Sequence, residues 1–401
     1  MKNLITELKK YPALAGVGVL LSLEHILTFI FWMTEKPLHW ILSPSTPSIC
    51  WPLMDACEKL KPSSEILNGV LGFYLILALA SVLFWALRKY RVAIPLLWTL
   101  LVIKNIIILQ DYRLTGNYHY LPTLITLVFL LIPQRAYSLP FTFFVIYFTA
   151  GLLKIDTNWL SGAAINDLLI PPFLTRIGVW YVLVLELGLI FLLFARKNFW
   201  FYFLFIQLTV FHLYSWHLTR FFYPSVMLLL LGILLITRPL APPLRIKDTF
   251  KLVLKPRVAK VLLVIFVALQ LPQYFIPGDA AMTGEGRMYA MIMYDGRVQC
   301  QPHLSIWKKN QEKEELPLQP PWLITRTHCD SMVFWRLAQN ACEWAKKDPE
   351  VLQVDLMIPV RYEGQKEWQP LVAATNVCEK ELNYSSFFPN NWINKLSKSG
   401  N

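Results

Sequence analysis

Long apolar runs, spaced along the first 275 residues, are the feature that most constrains the fold of this chain. Most of them approach the roughly 20 residues that a helix needs to cross about 30 Å of hydrocarbon. The composition agrees, because 55% of the 401 residues are hydrophobic and the mean hydropathy is +0.44. Such a chain folds as a bundle of membrane-spanning helices, in a lipid bilayer, and not as one soluble domain.

The runs predict nine spans, and the residues after them predict a different kind of structure. The spans lie at about 12–33, 66–87, 92–110, 119–133, 139–156, 178–195, 198–218, 221–238 and 259–275. Alternating apolar residues in Met288–Tyr294 and Val351–Val360 predict strands, and the spacing in Asp330–Lys346 predicts a helix. We therefore expect a polytopic α-helical transmembrane domain over residues 1–275 and a small extramembrane α+β domain over residues 276–401.

The basic residues indicate an orientation. The formal net charge is +12, but lysine and arginine cluster at the ends of the apolar runs and form no single basic face, so we expect no nucleic-acid partner. The loops on the side of the N-terminus hold most of them, including those of residues 238–260. The positive-inside rule then predicts a cytoplasmic N-terminus and an outer C-terminal domain, in the endoplasmic reticulum lumen or the bacterial periplasm. The first run lacks a cleavage site and is expected to remain as an anchor.

All six cysteines lie outside the apolar runs and, in this topology, on the outer side. They are Cys50, Cys57, Cys300, Cys329, Cys342 and Cys378. An even number of cysteines on the oxidising side of a membrane predicts disulfide bonds, although the residues alone leave the pairing open.

Several polar side chains converge on the outer half of the predicted bundle. His119 begins the fourth span, Lys154 ends the fifth, and His212, His217 and Arg220 end the seventh. Two histidines five residues apart do not share a helix face, so we expect no metal site. For Lys154 the alternative is an interfacial anchor, because a tryptophan follows it closely.

Deeper in the predicted spans lie Glu24, His25, Lys104 and Glu186. Charged groups at this depth pair with one another or line a cavity. The chain has no glycine-rich nucleotide loop, no zinc-protease motif and no hydrolase elbow, which excludes those classes of enzyme at the level of motifs.

The segment YFTAGLLKIDTNWLSG at residues 147–162 resembles the lysine motif of the vitamin K-dependent gamma-glutamyl carboxylases and their wider relatives, the horizontally transferred transmembrane domain proteins. NYHYL at 117–121 resembles the histidine motif of that family, and FHLYSWHLTRFF at 211–222 resembles a later span. GEGRMYAMIMYDGRVQC at 284–300 and RTHCDSMVFWRLAQNAC at 326–342 are similar in a more general way.

The resemblance implies a membrane enzyme that couples epoxidation of vitamin K hydroquinone to carboxylation of glutamate side chains, with O2 and CO2 as co-substrates. It implies that Lys154 is the base that deprotonates the hydroquinone and that His119 assists it, with His212, Trp159 and Arg220 as candidate cofactor contacts. A glutamate-containing protein or peptide would be the substrate. The resemblance also implies a disulfide from the first outer loop to the tail, through Cys50 or Cys57, beside the open alternative of a Cys50–Cys57 bond.

Two other functions fit the sequence. The first is a non-catalytic membrane protein of the same family, whose outer domain binds or matures an exported partner. The second is a transporter with Glu24, Lys104 and Glu186 along an intramembrane charge pathway. The catalytic hypothesis expects Lys154 and His119 to face one apolar pocket.

Overall fold

The computed structural model describes residues 2–54, 57–162, 171–291, 298–318, 323, 325–362, 365–380 and 382–396. Inside these ranges a few side chains, among them those of Asn158 and His217, are not described. The described chain forms a bundle of long helices followed by a small sheet that carries one long helix.

Helices lie over all nine apolar runs. The α-helices of the described chain up to residue 275, including short ones between the runs, are α1 (Lys2–Lys10), α2 (Leu14–Thr34), α3 (Leu38–Ile41), α4 (Ser64–Ala86), α5 (Tyr90–Gln110), α6 (Asn117–Leu131), α7 (Arg135–Leu153), α8 (Thr157–Leu160), α9 (Pro172–Leu183), α10 (Asn198–Leu218), α11 (Phe222–Thr237), α12 (Ile246–Val253), α13 (Arg257–Gln270) and α14 (Pro272–Phe275). Seven helical segments of the described chain are long and apolar enough to cross a membrane, α6 is a shorter apolar helix, and α10 has 21 residues. The prediction of a polytopic helical membrane protein is confirmed.

One span has an irregular backbone. After α9 the chain continues as a π-helical turn, Val184–Gly188, and then as a 3-10 helix, Leu189–Phe194. Short π-helical turns inside α-helices frequently occur at functional sites, and 3-10 helices longer than three or four residues are uncommon. Non-helical backbone at membrane depth is tolerated where protein covers it or where it lines a cavity. The irregular backbone of this span therefore makes residues 184–194 a candidate part of a functional site.

Helix α2 lies at the centre of the bundle, against α4 and α11. Gly18 makes the contact with α4 possible, because a Cβ at this position would lie 2.2 Å from the ring of Trp85. The amphipathic helix α1 is tied to the bundle by Glu7, whose carboxylate accepts hydrogen bonds from the backbone N–H groups of Gln134 and Arg135 and pairs with the Arg135 guanidinium at 3.2 Å.

The C-terminal sheet is antiparallel and is built around its longest strand. The strands are β1 (Val298–Cys300), β2 (His303–Lys308), β3 (Lys313–Pro317), β4 (Val351–Tyr362) and β5 (Gln369–Ala374), and the remaining helices are α15 (Ala280–Thr283), α16 (Thr325–His328) and α17 (Ser331–Ala345). Strand β4 pairs with β1, β2 and β5, and β3 pairs with β2. Helix α17 packs on β4, and Asp330 caps it by accepting a 3.0 Å hydrogen bond from the N–H of Met332.

The predicted strand at Val351–Val360 and the predicted helix at Asp330–Lys346 are confirmed by β4 and α17. The predicted strand at Met288–Tyr294 is wrong for residues 288–291, which form a turn, while residues 292–294 lie outside the description. The reason is packing, because Met288, Ala290 and Met291 are buried against the helical bundle and the N–H of Met291 donates to the Gln270 side chain of α13.

Three disulfides join all six cysteines: Cys50–Cys57, Cys300–Cys329 and Cys342–Cys378. The expectation of disulfides is confirmed, and the implied covalent bond from the first loop to the tail is wrong. Hydrogen bonds make that connection instead. Arg336 of α17 donates to the carbonyl of Trp51 at 3.2 Å, and the Asn340 side chain donates to the carbonyl of Ser48 at 3.4 Å.

Candidate functional site

Lys154 is a buried member of an ion pair. It follows the last residue of α7, its side chain is 1% exposed, and its Nζ lies 2.8 Å and 2.7 Å from the two carboxylate oxygens of Glu186. The indole of Trp159 covers the ammonium at 5.3 Å from the ring centre. An interfacial anchor would extend to the headgroups, so the alternative interpretation of Lys154 as an anchor does not fit this position.

Local structure explains why Glu186 lies opposite Lys154. Glu186 belongs to the π-helical turn, which changes the direction of its side chain relative to an uninterrupted α-helix. On the facing helix, a Cβ at Gly151 would lie 2.8 Å from the Leu187 side chain and 3.0 Å from the Glu186 Cβ. The close approach of α7 to this turn therefore requires glycine at 151.

A histidine and two tyrosines complete this group of residues. The Tyr147 hydroxyl and His212 Nε2 are hydrogen-bonded at 2.6 Å, and the ring of Tyr223 contacts that of His212 at 5.9 Å. Tyr147 lies two helical turns before Lys154 on α7, and α7 packs on the π-helical turn that carries Glu186. The Lys154 cluster, defined here as Tyr147, Lys154, Trp159, Glu186, His212 and Tyr223, thus combines an ion pair with neutral hydrogen-bonding groups and aromatic cover.

His119 lies in a neighbouring aromatic environment. It is in the first turn of α6 and fully buried, and neither ring nitrogen has a hydrogen-bond partner among the described residues. Four rings surround it at centroid distances of 4.7 to 6.1 Å, those of Phe31, Trp32, Tyr118 and Phe222. The ring of Trp32 also contacts that of Tyr74 of α4 at 5.4 Å, which connects the surroundings of His119 with polar side chains of α2, α4 and α5.

Those polar side chains form a second cluster in the first half of the bundle. Glu24 of α2 and Lys104 of α5 form a fully buried ion pair at 2.5 Å, and the Thr28 hydroxyl donates to the same Glu24 oxygen at 2.8 Å. His25 Nδ1 and the Tyr74 hydroxyl are hydrogen-bonded at 2.6 Å. We call Glu24, His25, Thr28, Tyr74 and Lys104 the Glu24 cluster.

The start of α11 lies between His119 and the Lys154 cluster. The ring of Phe222 packs on His119 at 5.6 Å, and that of its neighbour Tyr223 packs on His212 at 5.9 Å. Of the predicted site residues, Lys154, Trp159 and His212 come together, whereas the described ring contacts of His119 are to residues outside the Lys154 cluster. The two sites are therefore adjacent through consecutive residues of one helix.

Arg220 is exposed and is not a member of the Lys154 cluster. Its charge is near Glu35 and Lys36, which lie between α2 and α3. Burial, assisted by the nearby charge of Arg113, lowers the pKa of Lys36 to about 7. The backbone N–H of Phe222 donates to Glu35 at 3.1 Å, which places this group of charges at the His119 end of α11.

The grouping of Glu24, Lys104 and Glu186 along one transport pathway differs from the observed pairing, in which Glu186 belongs to Lys154. Cys300, His328 and Cys329 form the one described group with metal-ligand geometry, but the two cysteines are joined in a disulfide and their sulfurs are not thiolates. The side chain of His217 lies outside the description.

Sequence reasoning identified Glu186 as a deep charge but not its partner, and it missed Tyr147, Tyr223 and Tyr74. No local pattern connects Tyr147 with His212, which are 65 residues apart, or His25 with Tyr74, which are 49 apart. The one signal in the sequence for these tyrosines was that a histidine buried in an apolar helix needs a hydrogen-bond partner.

Comparison with protein-family models, with curated proteins and with solved structures finds no match to this chain. The motif residues and the geometry of the two clusters are therefore the features from which a function can be inferred.

Proposed function

We propose that this protein is a membrane enzyme of the vitamin K-dependent gamma-glutamyl carboxylase type, in the broader family of horizontally transferred transmembrane domain proteins. The observation that supports this most strongly is the burial of the motif lysine against a carboxylate inside the helical bundle. Intramembrane charges of this kind are costly to bury and generally serve ion, proton or substrate chemistry. The buried Glu24–Lys104 pair lies in two regular helices, so the π-helical turn that carries Glu186 is what distinguishes the pair of the motif lysine.

The residues around Lys154 suit a hydroquinone. Trp159, Tyr147 and Tyr223 offer ring surfaces, and the paired Lys154 and Glu186 offer a proton acceptor next to a cation that stabilises a phenolate. The Tyr147–His212 hydrogen bond fixes two polar groups beside the pair, where they can orient a ring oxygen. When bound, the hydroquinone supplies the oxygenation chemistry whose strongly basic product removes a glutamate γ-proton before CO2 adds.

The proposed topology has nine spans, a cytoplasmic N-terminus and an outer C-terminal domain. It is supported by the distribution of basic loops and by three disulfides, in the first loop and in the C-terminal sheet domain. An exported protein with glutamate side chains would then meet the enzyme on the side of its disulfide-bonded domain.

The test is a reconstituted reaction. Purified protein in lipid nanodiscs is incubated with reduced vitamin K, labelled bicarbonate and glutamate-containing peptides, and epoxide and fixed label are measured. We expect both products from the parent protein and a loss of about 100-fold or more in Lys154→Ala, as for removal of a general base. A correctly folded parent that forms neither epoxide nor labelled peptide would refute the proposal.

A further inference from the structure

A base needs an available lone pair, and Lys154 does not present one on its own. Its Nζ faces both oxygens of Glu186 at 2.8 Å and 2.7 Å, with a third contact to the carbonyl of Ala150 at 3.5 Å. Ammonium with carboxylate, and amine with carboxylic acid, contain the same number of protons. Strongly interacting groups like these titrate as a unit, so a proton taken from a substrate is accepted by the pair and not by Lys154 alone.

We infer that Lys154 and Glu186 accept a proton together, and that the proton taken from a weakly acidic hydroxyl of the hydroquinone class ends on Glu186. The identity of that substrate rests on the proposed function. In this step the O–H bond of the hydroxyl breaks, its electron pair stays on the substrate oxygen, and an O–H bond forms at a Glu186 carboxylate oxygen. Lys154 keeps three N–H bonds and donates to the new phenolate, so the net charge of the site is unchanged.

The hydrogen bonds of Glu186 leave room for this proton. Among the described residues, Glu186 accepts hydrogen bonds from Lys154 alone, whereas Glu24 in the other cluster accepts from both Lys104 and Thr28 and has His25 at 4.0 Å. A carboxylate can accept about four hydrogen bonds through its two oxygens. Glu186 therefore has fewer donors that hold it in the anionic form, and it retains positions at which a proton can bind.

The backbone around Glu186 supports the same assignment. Glu24 and Lys104 lie within long α-helices, but Glu186 lies in a π-helical turn and Lys154 lies just beyond the end of α7. A structural ion pair needs no such irregularity. The turn and the close approach at Gly151 instead place one carboxylate beside the motif lysine, which is the arrangement that proton transfer through the pair requires.

Infrared difference spectroscopy can follow the carboxyl group directly. Reduced vitamin K is added, in the absence of oxygen, to the parent protein in nanodiscs. The glutamate residues of the protein are either unlabelled or labelled with 13C. We expect a new band of a protonated carboxylic acid that shifts with the label, moves in Glu186→Asp, and persists unchanged in the matched control Glu24→Asp. Binding of the hydroquinone without a new carboxyl band, or a band that does not change in Glu186→Asp, would overturn the inference.

Epoxide assays of the same samples in air separate this inference from the proposed function. Epoxide formation without the carboxyl band overturns the role of Glu186 and leaves the proposed function standing. A parent protein that binds no hydroquinone and forms no epoxide overturns both. For Glu186→Gln we expect epoxidation to fall about 100-fold at every pH at which the protein stays folded. Parent-level activity in Glu186→Gln would show that Lys154 suffices alone.

Discussion

The two buried polar clusters contain nearly the same parts in different backbones. Each has a lysine–glutamate pair and a histidine–tyrosine hydrogen bond: Glu24–Lys104 with His25–Tyr74, and Lys154–Glu186 with Tyr147–His212. The first pair joins two regular helices and is fixed by Thr28, which suits a structural role. The second lies at a helix end and a π-helical turn, with one donor fewer. The two clusters are alike in side-chain chemistry and differ in backbone regularity and in hydrogen bonds to the carboxylate, so these two differences are what the proposed division into a structural and a catalytic cluster depends on.

The largest expected difference between the clusters is in activity. Lys154→Met should lower epoxide formation by about 100-fold to 10,000-fold, because it removes a member of the proton acceptor. The double variant Glu24→Gln/Lys104→Met, which removes the other pair without leaving a lone charge, should keep activity within about tenfold of the parent. Epoxide yield per amount of folded protein is the measurement. Equal losses in both variants would contradict the division of roles.

In stability, both pairs should behave alike. Removing one partner leaves an unpaired charge in the bundle, so Lys104→Met or Lys154→Met should lower the free energy of unfolding in mild detergent by about 3 to 5 kcal/mol. Neutralising both partners, as in Glu186→Gln/Lys154→Met, should recover most of that loss. If the double variants are no more stable than the single ones, the pairs stabilise the fold in their own right.

Helix spacing gives a smaller effect that distinguishes the clusters. Gly151→Ala adds a methyl group within about 3 Å of Leu187 and Glu186, so it should cost about 1 to 3 kcal/mol and also reduce activity by displacing Glu186. Gly18→Ala is the matched control, since its clash with Trp85 lies beside α4 and away from the Lys154 cluster. It should reduce stability at least as much. Activity per folded molecule that falls further in Gly18→Ala would argue against the proposed role of the turn.

The smallest change per step, about 1 kcal/mol for each pH unit, concerns the His119 side of the molecule. Burial lowers the pKa of Lys36 from its ordinary 10.5 to about 7, so between these values the unfolded chain binds more protons than the folded one. Stability should therefore rise with pH from about 7, by about 1 kcal/mol per unit, toward about 10. Lys36→Met should remove this dependence when unfolding is measured between pH 7 and 9. A slope that is the same in Lys36→Met would assign it to another group.

Much of the architecture follows from sequence, because burial in lipid imposes long apolar helices and burial on one face imposes alternation in strands. The helices over all nine runs, β4 and α17 were accessible in this way. The segment at 288–291 was not, because its alternating apolar side chains pack against the bundle and not within the sheet. Pairing of Cys50 with Cys57 likewise depends on the path of the loop.

Only part of the candidate site could be predicted from the sequence. The motif singled out Lys154 and Trp159, and the location of Glu186 in an apolar run marked it as a charge in need of a partner. The partner itself depends on the π-helical turn and on how closely α7 approaches at Gly151, which are tertiary features. For the same reason, the sequence could not predict that His119 lies beside the Glu24 cluster, to which it is connected through the ring of Trp32.

The central claim is that the Lys154 cluster is where a quinol binds. A photoactivatable naphthoquinone, reduced and illuminated with the protein in nanodiscs, tests this directly when the labelled peptides are located by mass spectrometry. We expect label within residues 147–159, 179–190 and 211–223, and we expect excess reduced vitamin K to abolish it. Competable label that lies elsewhere, with these three segments unlabelled, would contradict the account.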